Sequence, residues 1–115
     1  MSRDWRVFLD DILECCRRVR AYTTGMDQAA LVANQLVYDA ALRNLEIIGE
    51  AAKRIPPEVR QQAAQIEWPK IAGMRDWLAH AYFHVNPDIV WDVITNKLPE
   101  LESAVQALID GGKNA

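Results

Sequence analysis

Cysteine is scarce in this 115-residue chain, and the two that occur, Cys15 and Cys16, are adjacent. Neighbouring residues on a helix point about 100° apart, which is a poor arrangement for a disulfide between them. The sequence has no CxxC motif and no second cysteine pair that would complete a zinc site. We therefore expect a protein of a reducing, cytoplasmic compartment that holds no structural metal.

Long apolar runs are also missing. Apolar stretches such as QAALVANQLVYDAALRN are interrupted by polar or charged residues. The first residues, MSRDWRVFLDD, lack the basic region and apolar segment of a signal peptide. Strict alternation of apolar and polar residues, the pattern of a half-buried strand, is found nowhere. These absences predict a protein without a membrane segment and without a β-sheet.

An excess of positive charge is the third absence, because the formal net charge is -3. That value argues against nucleic-acid binding by bulk electrostatics alone. The charge is uneven, however: residues 1–75 carry 11 Lys+Arg and 10 Asp+Glu, and residues 76–115 carry 2 and 6. Such arginines more often form only a solvated face, but any polyanion is expected to approach Arg17, Arg18, Arg20, Arg43, Arg54 and Arg75.

What remains is helical periodicity throughout, in a chain of which half the residues are apolar. The apolar spacing predicts helices over about 3–21, 28–54, 69 to 84 or 85, and 87–110, with a kink at Pro99 and a short helix in PPEVRQQAAQ. The second helix ends because Pro56 and Pro57 cannot continue it. The predicted fold is all-α, an antiparallel four-helix bundle with a short extra helix, formed by one domain that spans residues 1–115.

Two residues of the second helix are unusual for their positions. Gly49 lies in the helix interior, where glycine costs about 1 kcal/mol relative to alanine. We expect it to permit close packing with another helix. Asn44 lies on or beside the apolar stripe, and a buried hydrogen bond there is favoured over a direct role in a site.

The segment RDWLAHAYFHV, residues 75–85, contains both histidines of the chain and three aromatic residues, Trp77, Tyr82 and Phe83. At about 100° per residue from Ile71, the inward face contains Met74, Leu78, Tyr82 and Val85. The outward face contains Asp76, His80 and His84, flanked by Trp77 and Phe83. Because exposed apolar clusters usually mark contacts, we expect a homodimer interface there, unless the short helix around Val59 covers Trp77.

Three interpretations of the polar residues in this segment compete. They can be structural, with their polar atoms satisfied by carbonyls and carboxylates. Asp76, His80 and His84 have a spacing that could hold a zinc ion, although no further histidine exists. The third is acid-base chemistry on a phosphodiester, with a histidine that moves a proton and Arg75 that neutralises the phosphate. Arg75 and His80 are about 140° apart on a helix, so a shared site needs two protomers.

These residues carry a family resemblance. Arg75, His80 and Tyr82 resemble the Arg-x4-His-x-Tyr motif of the HepT-like toxins, a branch of the HEPN superfamily of small helical ribonucleases. The segments RNLEIIGEAAKRI, IEWPKIAGMRDWLAHAYFHV and IVWDVITNKLPEL are similar to characteristic segments of that family, in the same order. The resemblance covers essentially the whole chain.

The resemblance implies a homodimer whose motifs face one cleft and which cleaves RNA without a metal or another cofactor. Arg75 would polarise the scissile phosphate and His80 would be the general acid or base. Asp76 occupies a supporting polar position that is often Asn in close relatives, and it lowers the local positive charge. The ideal helix places Tyr82 about 160° from His80, so either the helix unwinds after Ala79 or the tyrosine hydroxyl reaches only the rim of the cleft.

The family also implies a partner and a biological role. Tyr82 matches the tyrosine that receives AMP from a nucleotidyltransferase antitoxin of the MntA type, and such added charge would repel RNA. The chain would then be the toxin of a type VII-like toxin–antitoxin pair. Two rivals are a non-catalytic HEPN module that contacts nucleotides or RNA beside a nucleotidyltransferase, and a structural dimerisation bundle.

Overall fold

A computed structural model describes residues 4–81 and 84–113, with side chains as far as residue 111. In this part of the chain every regular element is helical, and the predicted all-α class is confirmed. The α-helices are α1 (Trp5–Tyr22), α2 (Gln28–Ala33), α3 (Gln35–Ala52), α4 (Pro57–Arg60), α5 (Trp68–His80), α6 (Pro87–Asp92) and α7 (Leu98–Lys113). The predicted short extra helix is α4, which a 3-10 turn, Gln61–Ala63, extends. None of the described helices is long and apolar enough to cross a membrane.

Helix α3 is the centre of the bundle, because it packs against α1 on one side and α5 on the other, while α7 packs against α1. The residues that meet between these helices are aliphatic, as the apolar stripes predict. Fully buried members of the core include Leu9, Ile12, Leu42, Leu45, Ile48, Leu78, Leu98 and Leu101. Both cysteines are buried and free. The core therefore holds α5 against α3 over most of its length.

The predicted helix over 28–54 is wrong at one position, because Asn34 divides it into α2 and α3. Asn34 has an extended backbone (φ −99°, ψ 91°), and its side chain accepts a hydrogen bond from the Val37 amide at 3.1 Å. A side chain that caps the next helix competes with the helical backbone bond, and this competition explains the break. Leu36, which the stripe places inside, is 81% exposed beyond the break.

Helix α5 ends at His80, four to five residues before the predicted end at His84 or Val85. The Ala81 amide still bonds to the Trp77 carbonyl, but Ala81 has left the helical conformation (φ −119°, ψ 26°). Val85 is buried, and Asn86 already caps α6 by accepting a hydrogen bond from the Asp88 amide at 2.8 Å. The cap at Asn86 and the start of α6 at Pro87 are as predicted.

The last helical stretch is interrupted, as Pro99 predicts, and the irregularity precedes the proline. Residues Val93–Lys97 form a π turn between α6 and α7, in which the Leu98 amide bonds to the Val93 carbonyl. Proline has no amide hydrogen and its ring crowds the carbonyl four residues earlier, here that of Thr95. A wider turn at this point relieves that crowding.

Candidate active site

The last two turns of α5 present a polar surface to solvent. Asp76 and His80 are exposed, while Ile71, Met74 and Leu78 of the same helix are buried in the core. For these five residues the predicted division into an inward and an outward face is confirmed. Trp77 is half-buried and packs against the core. His84, beyond the helix, is also exposed.

Gly49 fixes how closely α5 approaches α3. A Cβ atom at Gly49 would lie 2.6 Å from the backbone nitrogen of Arg75 and 3.1 Å from the Arg75 Cβ. Real side chains do not tolerate the first distance, so only glycine permits this contact. The predicted role of Gly49 in close helix packing is confirmed, and the residue it packs against is the predicted catalytic arginine.

Two carboxylates hold the guanidinium of Arg75. Its Nε lies 3.5 Å from Oε2 of Glu50, the residue that follows Gly49 in α3, and its Nη1 lies 3.5 Å from Oδ1 of Asp76. The other Glu50 oxygen, Oε1, accepts a hydrogen bond from Arg54 at 3.3 Å. The side chain of Arg75 is 40% exposed. The arginine is thus oriented from one side and open to solvent on the other.

Asp76 is held by a lysine of α3. Its Oδ1 accepts a hydrogen bond from the Lys53 ammonium at 3.1 Å. This bond, the charge of Lys53 and the neighbouring Arg75 hold the pKa of Asp76 below its usual value of 3.8. Asp76 is therefore a carboxylate at neutral pH, and together with Glu50 it offsets the positive charges of Lys53 and Arg75.

The sequence did not single out Glu50 or Lys53 for this site. Glu50 also pairs with Arg54, at i,i+4 spacing on the same helix. The available signal was their position, one and four residues after Gly49, a glycine that predicts a neighbouring helix. Which helix that is cannot be read from periodicity.

Asn44 lies on the same helix but has a local role. It is buried at 7% exposure, and its Nδ2 donates to the Ala40 carbonyl at 2.9 Å. The predicted buried hydrogen bond is present.

Tyr82 and Phe83 lie outside the described residues, so the predictions made for them are not tested. The helix does end at His80, two residues before Tyr82. Among residues 4–81 and 84–113, no group of three or more His, Cys, Asp or Glu side chains could hold a metal ion. Asp76, His80 and His84 therefore do not form the metal-binding group that their spacing allowed.

Known proteins similar to this chain are named as ribonucleases. The sequence model of the family described as "Ribonuclease HepT-like" matches residues 12–108. A protein of Caldanaerobacter subterraneus subsp. tengcongensis named "Putative RNase" is 39% identical over 94% of this chain and 96% of its own length. A "Putative RNase" of Methanocaldococcus jannaschii is 36% identical over 94% of this chain and 89% of its own length.

A third relative, from Thermococcus cleftensis, is named "Probable ribonuclease HepT". It is 32% identical to this chain, over 94% of this chain and 98% of its own length. No solved structure matches the chain.

Proposed function

Because the chain belongs to the HepT-like ribonuclease family, we propose that it is a metal-independent endoribonuclease in which Arg75 and His80 are catalytic. The observation that carries the proposal is the outward surface of α5, where a partly exposed arginine and an exposed histidine lie in the last two turns of one helix. Neither side chain is buried in the core.

The proposed reaction uses the RNA itself as nucleophile. A base removes the proton of the 2'-hydroxyl, the 2'-oxygen attacks the adjacent phosphorus, and the 5'-oxygen leaves with a proton from an acid. The products are a 2',3'-cyclic phosphate and a free 5'-hydroxyl. Imidazole can act as base or acid near neutral pH, and the Arg75 guanidinium neutralises charge that grows on the phosphate oxygens.

A homodimer supplies the geometry that one protomer lacks. Arg75 and His80 are five residues apart in α5, so their side chains diverge by about 140°. A twofold axis beside this surface would bring two arginines and two histidines to one cleft, and one histidine could then act as base while the other acts as acid.

Glu50 is the positioning residue in this proposal. Its contact with Arg75 Nε leaves Nη2 of the guanidinium to meet phosphate, while Nη1 contacts Asp76. Asp76 has the opposite effect, because its charge next to Arg75 weakens the attraction for a phosphate.

The biological role proposed is that of a cytoplasmic toxin in a toxin–antitoxin pair. A nucleotidyltransferase of the MntA type would transfer AMP to Tyr82, two residues beyond the end of α5, and the added bulk and negative charge would keep RNA from the cleft. Support comes from the family and from the position of Tyr82 in the sequence.

The test is RNA cleavage by the purified protein in EDTA. We expect cleavage to persist under chelation and to fall at least about 100-fold in Arg75→Ala and His80→Ala. His84→Ala and Arg43→Ala are matched controls, because both residues are exposed and of the same types. Loss of cleavage on chelation, or full activity in His80→Ala, would exclude the mechanism.

A non-catalytic module that binds nucleotides or RNA is the second candidate. It is favoured by the two carboxylates on Arg75, which reduce the net charge available to a phosphate. Expression of the chain alone separates the two functions. Growth arrest that Arg75→Ala relieves supports the nuclease, while growth without arrest, combined with RNA binding by the purified protein, supports the module.

A further inference from the structure

A second basic surface lies at the end of α1, on residues that the candidate active site does not use. It is a cavity of about 520 Å³, and its lining includes Arg17, Arg20, Thr23, Thr24, Trp91 and Thr95. This volume is in the range of small-ligand sites. We call it the α1 cavity, and we propose that it binds one nucleotide unit of single-stranded RNA, with the phosphate at the arginines and the base against Trp91.

The charge of the α1 cavity suits a phosphate. Arg17 contacts the neutral amide oxygen of Gln106 at 3.2 Å and no carboxylate of the described residues. Arg20 is held by Glu102 at 2.6 Å, yet its side chain stays 53% exposed. Both partners, Gln106 and Glu102, lie on α7 and orient the two guanidinium groups. Because only one of the partners is a carboxylate, the group as a whole keeps a net positive charge.

A further cavity, of about 480 Å³ between α5 and α7, has the opposite character. Its rim includes the acidic residues Glu67, Asp92 and Glu100 against two lysines. One of these lysines, Lys70, is already paired with Glu67 at 2.8 Å. Of these two cavities, charge therefore favours the α1 cavity for an RNA strand.

The arginines of α1 are not needed to cap the helix. Thr23 Oγ1 donates to the Val19 carbonyl at 2.9 Å, and Thr24 Oγ1 donates to the Arg20 carbonyl at 2.9 Å. These hydroxyls satisfy carbonyls of the last turn, a task that basic side chains often perform at helix ends. The guanidinium groups are therefore not tied to the end of their own helix, and their contacts are with α7.

The remaining wall favours a base rather than a bare phosphate. Trp91 is half-buried, and an indole ring is a platform on which any base can stack. The Thr95 hydroxyl donates a hydrogen bond to the Trp91 carbonyl at 2.7 Å, so its oxygen can accept a hydrogen bond from a base amino group. The π turn that contains Thr95 is a type of irregularity found often at functional sites.

The choice of RNA as ligand rests on the proposed ribonuclease function, and the α1 cavity would be a binding site separate from the cleavage site. A strand held there is a way to keep substrate on a protein of net negative charge. The experiment is therefore a binding measurement in a cleavage-deficient background, His80→Ala, which does not depend on the mechanism.

Fluorescence anisotropy with a labelled single-stranded oligoribonucleotide is measured for His80→Ala alone and with Arg17→Glu, Trp91→Ala or Arg18→Glu added. Arg18 is the matched control: it lies next to Arg17, undergoes the same change of charge, and pairs with Glu14 outside the α1 cavity. We expect at least about a fivefold loss of affinity for Trp91→Ala and a larger loss for Arg17→Glu than for Arg18→Glu. The slope of log K against log salt becomes shallower by about 0.7 for each lost phosphate contact.

Equal effects of Arg17→Glu and Arg18→Glu would overturn the proposal. Thermal unfolding of each variant shows whether a loss of RNA affinity in Trp91→Ala is due to misfolding. In that case the comparison of Arg17→Glu with Arg18→Glu decides the test. Competition with AMP distinguishes a site for an RNA strand from a site for a free nucleotide. A strand site retains the oligonucleotide when AMP is added at equal nucleotide concentration. Displacement of the oligonucleotide under that condition would overturn the assignment to RNA.

Discussion

The backbone of Arg75 lies directly against Gly49, so closely that a Cβ at Gly49 would be 2.6 Å from the Arg75 nitrogen. We predict that Gly49→Ala forces α3 and α5 apart. Overpacking of this kind costs about 1–3 kcal/mol, which exceeds the helix propensity of about 1 kcal/mol that alanine gains over glycine. Urea unfolding should show a lower free energy of unfolding, and RNA cleavage measured well below the unfolding midpoint should also fall.

Gly73 is the matched control for that substitution. It lies in the interior of α5, and a Cβ there would meet nothing within 4 Å. Gly73→Ala is therefore expected to raise the free energy of unfolding by about 0.5–1 kcal/mol. A similar gain in Gly49→Ala would contradict the close contact between α3 and α5.

The second prediction concerns the charge next to Arg75. Asp76→Asn keeps a polar side chain and removes a carboxylate 3.5 Å from the guanidinium. Because an exposed charge pair contributes little in water, we expect kcat/KM for RNA to rise only about 1.5- to 5-fold at low salt. The gain should shrink as ionic strength increases. Asp39→Asn, on α3, is the control, and an equal gain in both variants would indicate a general effect of net charge.

The third prediction concerns Lys53, whose ammonium is the main cause of the lowered pKa of Asp76. A carboxylate with a lowered pKa stabilises the folded state above its unfolded value of 3.8, and that contribution is lost as pH falls through the folded value. In Lys53→Met the pKa of Asp76 should rise toward 3.8. The pKa of Asp76 is measured from its carboxyl chemical shift in an NMR titration from about pH 2 to about pH 6, the range in which carboxyl groups titrate. An unchanged pKa would assign the effect to Arg75 instead.

The fourth prediction concerns the buried cysteines. Burial raises the pKa of Cys15 to about 11 and that of Cys16 to about 12, from an ordinary value of 9.0. The folded state therefore keeps thiol protons that the unfolded state loses, and stability should fall as pH rises from 9 toward 11. The measurement is urea unfolding across this range. Because other groups titrate there, the comparison is with a variant in which both cysteines are alanine, which should show a shallower decline.

The same burial predicts low reactivity of both thiols at neutral pH, since the thiolate is the nucleophile. A thiol reagent should label the native protein slowly and the urea-unfolded protein quickly. Rapid labelling of the native state would contradict the placement of these side chains in the core.

Much of the fold was predictable because the burial of apolar side chains dominates it. Aliphatic residues at helical spacing must be buried, and Ile71, Met74 and Leu78 are. Capping signals were equally direct, as Asn86 shows. The break at Asn34 was not predicted because asparagine occurs inside helices as well as at their starts, and the surrounding packing decides between the two.

The candidate site was predictable only in part, for a different reason. Which way Asp76 and His80 point follows from the pitch of one helix. The partners of Arg75 do not, because Glu50 belongs to another helix and meets it only through the register that Gly49 permits. Contacts between elements depend on the angle and height at which helices pack, and no local pattern encodes these.

The π turn at Val93–Lys97 has a consequence for how the chain can vary in length. Such a turn contains one residue more than the α turn it replaces, while the helices on either side keep their faces toward the core. An in-frame deletion of a single codon in this segment would let α6 and α7 join without turning Val90 or Leu101 out of the interior. The wall formed by Trp91 and Thr95 would change shape instead. Relatives that differ by one residue here would share a core and differ in what the end of α1 can hold.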